Sequence, residues 1–492
     1  MNPREQQVVI IGAGLAGIAA AIRLRRKQFQ VVVLEKSEDY GGKLGTFSWN
    51  GFRWDKGPSL FTDPQAVDEL FVLCGENPRD HFNYSRHHTS CTYYFPDKQA
   101  VQFHADRSKL QQELTEGFDE QSAALTMSYL DESERTYEGI GEFFIAHPKP
   151  GLRSIFRKEL LVRYPQLLGP KLRKTLHRYN QSKLKNEKLV RIFDRFGTYN
   201  GSDPHKMSGL YSMIPHLEQN RGTYFPQGGM RAIVDSLYSL ATRNGVVFHF
   251  GQEITSLETI RGNYVIQTKN QQFHAGKVVC AIDHLTFYRD VLRDATLFQR
   301  FQKQERSTSA LVFYWGVDTV LKGPGLHSIL FGADYRSEFE GLFGTQTLSA
   351  DPTIYIHISS EINTEDAPEG ARNWFVMINT PAGVYPTEEQ KKSLRQTVIS
   401  AIDRQFDCDL KRHILFEQSW DAKGIEADTG SVSGSLYGAS SNGKLAALKR
   451  HGNSSGKYPN LYFCGGTVHP GGGIPLVLKS AAIIEQLIAD EN

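Results

Sequence analysis

The stretch "VVIIGAGLAGIAAAIRLRRKQFQVVVLEK" fills residues 8–36 and constrains the fold more than any other part of the chain. Residues 8–11 are a short apolar, β-branched run, the pattern of a parallel strand buried on both faces. Gly12, Gly14 and Gly17 follow as G-x-G-x-x-G. Residues 18–26 are rich in Ala and Leu and predict a helix, which Leu15 and Ala16 lead into. Residues 30–34 predict a second buried strand, with Glu35 and Lys36 at its end. Each position has a physical task. Gly12 permits the tight turn, Gly14 admits a pyrophosphate to the backbone, and Gly17 lets helix and strand pack closely. The helix N-terminus faces the phosphate, and Glu35, 18 residues beyond Gly17, accepts ribose hydroxyls. The triple glycine alone is weak evidence. With a strand before it, a helix after it and the acid in place, it predicts a Rossmann-like site for a dinucleotide with an unphosphorylated ribose.

The next residues choose the dinucleotide. "YGGKLGTF" (residues 40–47) supplies Gly42, Lys43 and Leu44, and "FRWDKGPSLF" (residues 52–61) supplies Gly57, Pro58 and Ser59. A nicotinamide enzyme has no evident need for this second loop. FAD does, because it lies extended and its far end needs a cradle. Lys43 then pairs with phosphate, lies near the flavin, or is a solvated loop charge. A third glycine-rich stretch, "YFCGGTVHPGGGIPLVLKSAAI", lies at residues 462–483. A buried strand over residues 461–464 predicts close approach of Gly465 and Gly466 to the cofactor. Gly473, Ile474 and Pro475 then open a helix reaching to about residue 488, whose N-terminus points at the flavin edge where charge collects on reduction. His469 is the titratable side chain of this loop. It is a candidate for proton transfer, weighed against a purely structural role.

At 492 residues the chain is too long for one ordinary core, so it divides into lobes. The five cysteines are scattered, none with metal-ligand spacing, which predicts free thiols in a reducing compartment and no metal site. No basic-then-apolar leader precedes the first strand, and no apolar run is long enough to span a bilayer. Net charge is only +2, but residues 153–191 carry twelve Lys/Arg against two acids, interleaved with leucines and aromatics. Such composition suits interfacial helices that dip an apolar face into lipid while cations meet anionic head groups. A solvated helical surface is the rival reading, and nucleic acid a distant third. The membrane reading places the protein peripherally, at the cytoplasmic face.

In mid-chain, "YFPQGGMRAIVDSL" predicts a turn and an amphipathic helix ending near residue 244. Asp283 reads as a helix N-cap rather than a catalytic acid. Four strand-like runs within residues 307–380 predict an antiparallel sheet, a natural wall for a long apolar substrate.

Three blocks, "VVIIGAGLAGIAAAIRL…VVVLEK…GGKLGTF", "YFPQGGMRAIVDSL" and "NLYFCGGTVHPGGGIPLVLKSA", resemble the bacterial phytoene-type carotenoid desaturases within the FAD-dependent amine-oxidase-like superfamily. The resemblance covers essentially the whole chain. "FDRFGTYNGSDPHKMSGLYSMIPHLE" looks most like the branch that includes the 1-hydroxycarotenoid 3,4-desaturases. The chain departs from the common pattern at Cys464, where small apolar residues are usual, and at Val468, between Thr467 and His469.

The resemblance implies an α/β fold: a Rossmann-like FAD domain, a mixed antiparallel-sheet substrate domain and a helical, membrane-facing lobe. The FAD domain takes residues 1–85, 221–300 and 426–492, the substrate domain 86–145 and 301–425, and the helical lobe 146–220. It further implies FAD as cofactor, Ile254 as a backbone contact to its adenosine half, and a carotenoid substrate. Oxygen or a quinone is the implied electron acceptor. Phytoene or diapophytoene desaturation, carotenoid isomerisation or oxidation, amine oxidation and non-catalytic lipid escort are the alternatives.

Overall fold

The computed structural model describes residues 7–148, 169, 171–318 and 324–489. Strand β1 (Gln7–Ile11), helix α1 (Leu15–Arg26) and strand β2 (Gln30–Leu34) form the expected unit, the helix starting three residues earlier than its Ala/Leu run implied. β1 lies at the centre of a five-stranded sheet in the order Leu461–Phe463, Lys277–Cys280, β1, β2, Val247–His249. Every pairing in it is parallel. Four distant parts of the chain therefore build one sheet.

Alternation along β1 explains its unbroken apolar run. Val8 and Ile10 pack against α1, helix Arg231–Arg243 and helix Ile474–Ala489. Val9 and Ile11 point the other way, into a core shared with an antiparallel sheet of Ile254–Ile260, Asn263–Thr268 and Gln272–Ala275. Both faces are buried from Val8 to Ile11, so the one polar residue of the strand, Gln7, stands at its half-buried start. Each of those apolar side chains contributes about 1.5–3 kcal/mol of transfer free energy.

The four strands expected within residues 307–380 form at Ser309–Val317, His327–Leu330, Ile354–His357 and Arg372–Thr380, and pair antiparallel. The sheet is larger than that reading. Ile414–Trp420, Thr89–Tyr94 and Ala100–His104 extend it to seven strands, and His327–Leu330 pairs parallel with Thr89–Tyr94. That parallel pairing joins segments more than 200 residues apart, which no local pattern encodes. Helix Glu388–Phe406, opened by a Thr387/Gln390 capping box, covers one face through Leu394, Val398 and Ile402. The other face carries Phe52, Trp54, Tyr314 and Phe375.

The basic segment is only partly within the described residues; Arg153, Arg157, Lys158 and Arg163 lie outside them. Several of the remaining cations work internally. Lys171 is buried, bonding Thr136 and pairing with Glu132 at 3.4 Å. Lys183 pairs with the same Glu132 at 2.7 Å, Lys188 with Asp97, and Arg191 donates to the Gly332 carbonyl at 3.0 Å. Arg173, Arg178 and Lys185 are exposed. Among the described residues no helix is long and apolar enough to cross a membrane.

Candidate functional site

The turn between β1 and α1 separates the tasks of its three glycines. Gly12 has φ +105°, and a Cβ there would meet the Ile282 side chain at 2.8 Å. A Cβ on Gly17 would lie 2.0 Å from the Gly12 carbonyl oxygen, so helix and turn pack too closely for any side chain. Gly14 is different: its φ is ordinary (−76°) and nothing lies within 4 Å of its missing Cβ. That empty space faces the cavity, where a ligand would fill it. No side chain caps the N-terminus of α1, and its first turn has no acid. Its amides are left for an anion.

Glu35 is held from both sides. Its Oε2 accepts from the Ala13 amide at 2.8 Å and its Oε1 from the Ser37 amide at 3.0 Å. Two backbone donors thus fix the carboxylate before any ribose arrives. The remaining lone pairs can accept two adjacent hydroxyls.

The second loop closes on this turn. Gly41, at φ +104°, donates its amide to the Ala13 carbonyl at 2.9 Å. A Cβ on Gly57 would lie 2.2 Å from the Lys43 carbonyl oxygen, so that glycine is spent on packing. Lys43 Nζ donates to the Leu436 carbonyl at 2.7 Å. Burial pushes its pKa down to about 8, with Asp283 opposing and Arg306 assisting. Asp283 caps the following helix through the Leu285 amide at 2.8 Å, as its sequence position implied. It also accepts from Arg306 at 2.8 Å, a partner that nothing in the sequence pattern announces.

At the C-terminal loop, Gly465 has φ +113° and would bring a Cβ to 3.4 Å from Ala16. Gly473 has φ +100° with open space at its missing Cβ, directly before helix Ile474–Ala489. Pro475 is the second residue of that helix, where its missing N–H costs nothing. Cys464 is packing: it is buried, and burial raises its thiol pKa to about 12. His469 is buried and occupied. Its ring Nε2 donates to the His147 carbonyl at 3.1 Å, and its own carbonyl accepts from Asn453 at 2.8 Å and Ser480 at 2.9 Å. These bonds pin the loop and give the imidazole a structural occupation.

All the cofactor residues expected from the sequence except Gly17 border one cavity of about 1240 Å³, and His469 borders it as well. Lys36, Leu44, Ser59 and Ile254 stand along its rim and floor. The volume exceeds the 300–1,000 Å³ typical of a single small-molecule pocket. Another wall comes from the seven-stranded sheet through Val312, Ile329, Phe375 and Met377. Set in that apolar wall is a polar group that the sequence reading missed: Arg195, Glu218, Tyr199 and Ser90. Arg195, Tyr199 and Glu218 fall within the stretch 193–218 quoted above for its resemblance, but nothing in their spacing marks them as one group, and Ser90 comes from a distant strand.

A dinucleotide cradle joined to an apolar chamber under a β-sheet defines a flavoprotein oxidoreductase. The chain belongs to the flavin-containing amine oxidoreductase family, whose profile matches residues 15–483. It is 40% identical over 490 residues to a 1-hydroxycarotenoid 3,4-desaturase of Flavobacterium sp., covering 99% of this chain and 100% of the relative. It is 26% identical over 490 residues to a carotenoid 3,4-desaturase of Haloarcula japonica, covering 99% and 98%. In fold it is similar to a redesigned putrescine oxidase, with a TM-score of 0.67 at 11% identity over 99% of each chain.

Proposed function

We propose that this chain is a carotenoid desaturase that acts at the 3,4 position of a 1-hydroxycarotenoid. The full-length 40% identity to an enzyme of that name carries the reading. The cradle fits FAD: Gly14 and Gly473 leave open space, α1 is uncapped, and Glu35 is pre-set. Bound FAD supplies a two-electron acceptor that takes a hydride while the neighbouring carbon releases a proton. The chain's own part is alignment and exclusion of water. The sheet wall (Val312, Phe375, Met377) gives a long polyene an apolar bed against the cofactor loops. An allylic cation spread over a polyene is strongly stabilised, so no powerful base is needed, in keeping with His469 being engaged in loop bonds. Oxygen or a quinone is the terminal acceptor.

Such a substrate dissolves in lipid, and exposed Arg173, Arg178 and Lys185 supply a peripheral contact with an anionic leaflet. Amine oxidation is the weaker reading, because Glu218, the carboxylate beside the apolar wall, is already paired with Arg195 rather than open to a substrate ammonium. An escort protein would not need an intact nucleotide turn.

One liposome experiment tests both parts. The holoenzyme is mixed anaerobically with vesicles holding phytoene, γ-carotene or its 1'-hydroxy derivative. Flavin bleaching and a red-shifted polyene are expected with the hydroxylated compound. Reaction with phytoene alone would overturn the branch, and reaction with none would overturn the desaturase. Replacing Arg173, Arg178 and Lys185 by Gln should lower the partition constant onto anionic vesicles by about 100-fold, at about 1 kcal/mol per cation, read as lost pelleting. Unchanged pelleting would favour a merely solvated face.

A further inference from the structure

The polar group in the cavity wall is built as a receptor. Arg195 opens the Arg195–Asn200 turn, Glu218 sits in the His216–Arg221 turn, and Ser90 and Tyr93 stand on strand Thr89–Tyr94. Arg195 Nη2 donates to the Tyr93 hydroxyl at 2.7 Å and to Glu218 at 3.2 Å. Tyr199 donates its hydroxyl to the same carboxylate. Gln219 donates to Glu218 at 2.9 Å and to Ser90 at 2.8 Å. The rings of Tyr93, Phe196 and Tyr199 lie 5.0–5.2 Å from the guanidinium carbon.

Three features set this group apart from ordinary structural polarity. First, Arg195 is 7% exposed and Glu218 1%, yet both border the cavity. A buried ion pair is weak support for stability, since packed apolar residues do as well. Second, the group is not saturated: Arg195 Nε has no hydrogen-bond partner among the described residues. Third, its charges cancel. A neutral pair offering both donor and acceptor suits a dipole, not an ammonium or a carboxylate.

We infer that Arg195, Glu218 and Tyr199 bind the tertiary hydroxyl at the end of the substrate and so set the enzyme's preference for hydroxylated polyenes. This rests on the reading of the chain as a desaturase of 1-hydroxycarotenoids. An alcohol oxygen accepts from the Arg195 guanidinium while its O–H donates to the Glu218 carboxylate, which the Tyr199 hydroxyl continues to share and orient. In that substrate a single methylene separates the hydroxyl-bearing carbon from the C3–C4 bond. The receptor must therefore lie beside the cofactor loops, not at the remote end of the cavity. A bridge supplies this proximity. Ser59, next after Gly57 and Pro58, bonds the Tyr355 hydroxyl at 2.8 Å, and Tyr355 bonds His327 at 2.8 Å. Tyr355 stands opposite Ile329 in the sheet, and Ile329 opposite Tyr93, whose hydroxyl Arg195 bonds. The cavity around them is apolar, with Ile214, Leu217 and Ile329 on its wall, so an analogue lacking the hydroxyl would leave this polar group unpaired.

The test compares kcat/KM of the holoenzyme for 1'-hydroxy-γ-carotene and for the same polyene with hydrogen in place of the hydroxyl. The wild type should prefer the hydroxylated substrate by about 100-fold or more, as sites built to bond a hydroxyl do. The double variant Arg195→Met/Glu218→Leu removes the pair without stranding a charge, and should bring the ratio to within about 3-fold of unity. Tyr199→Phe removes one hydroxyl and no charge, and should lower the ratio about 3- to 10-fold; it decides the matter if the double variant loses FAD. Dissociation constants of the fully conjugated hydroxylated product should rise in parallel. A preference retained in Tyr199→Phe and in a flavin-replete double variant overturns the assignment. Equal wild-type activity on both polyenes overturns it too while leaving the desaturase reading intact. Activity confined to substrates that never carry the hydroxyl removes that reading and this inference together.

Discussion

Two parts of the cavity lining are made of different materials. The cofactor cradle is backbone: glycines without Cβ atoms, the uncapped amides of α1, and a carboxylate held by the Ala13 and Ser37 amides. The group proposed to meet substrate is side chain: an arginine, a glutamate, tyrosines and a serine set in an apolar wall. Backbone sites demand particular residue types at fixed short spacing, because only glycine removes the Cβ and only a helix start offers aligned amides. Side-chain sites ask only that the fold bring suitable groups together. The first kind leaves a motif, and the second leaves none.

The sharpest way to break the cofactor cradle is to fill it. Gly17→Val puts atoms where the Gly12 carbonyl already stands, 2.0 Å from the added Cβ. It should cost about 3 kcal/mol or more and abolish folded holoenzyme, seen by denaturant melts and lost flavin absorption. Gly14→Ala should fold with a change within about 1 kcal/mol, since its φ is ordinary and its surroundings open, yet retain FAD poorly. Equal stability losses at the two positions would refute the division of labour between them. Glu35→Ala, which deletes an acceptor without touching packing, should weaken FAD retention by about 10- to 100-fold on dialysis.

Lys43 is a side chain inside the backbone-made half, and its titration sharpens the contrast. Its folded-state pKa of about 8 lies below the ordinary 10.5, so the folded apoprotein binds fewer protons than the unfolded chain in between. Stability of the apoprotein should therefore rise as pH climbs from 8 to 10.5, and the penalty is fully present below pH 8. Lys43→Met should flatten that rise and stabilise the apoprotein at neutral pH by about 2 kcal/mol, measured by urea unfolding across pH. A slope unchanged by the substitution would mean that Lys43 is fully hydrated. The smallest effect belongs to His469. With its Nε2 committed to the His147 carbonyl, His469→Asn should hold kcat within about 3-fold and leave the pH profile unaltered. Loss of an ionisation from that profile would restore it as a proton carrier.

Much of the cofactor half was legible from residues alone. The three glycines, Glu35, the Gly42–Lys43 loop and the Gly473–Pro475 helix start all border one cavity or, like Gly17, pack directly behind it. The parallel sheet was visible in β1 and β2 because burial on both faces leaves four consecutive apolar residues after the leading Gln7 and Gln30. Less was legible elsewhere. The basic run over residues 153–191 read as interfacial helices or a solvated surface, cations outward in either case, but Lys171, Lys183, Lys188 and Arg191 are tied inward to Glu132, Asp97 and the Gly332 carbonyl. Composition counts charges and does not say which have found partners.

What the sequence determined by itself was the dinucleotide turn, the need for a second cradle loop and the closing glycine-rich helix start. Each follows from backbone geometry that only certain residues permit over a few positions. What only the tertiary structure decided was the seven-stranded wall, the Asp283–Arg306 pair, and the meeting of Arg195, Glu218 and Ser90 around one point of the cavity. Those arrangements depend on contacts between segments as far as about two hundred residues apart. Their energies come from burial and pairing after the chain has folded, so they leave no short-range pattern to read.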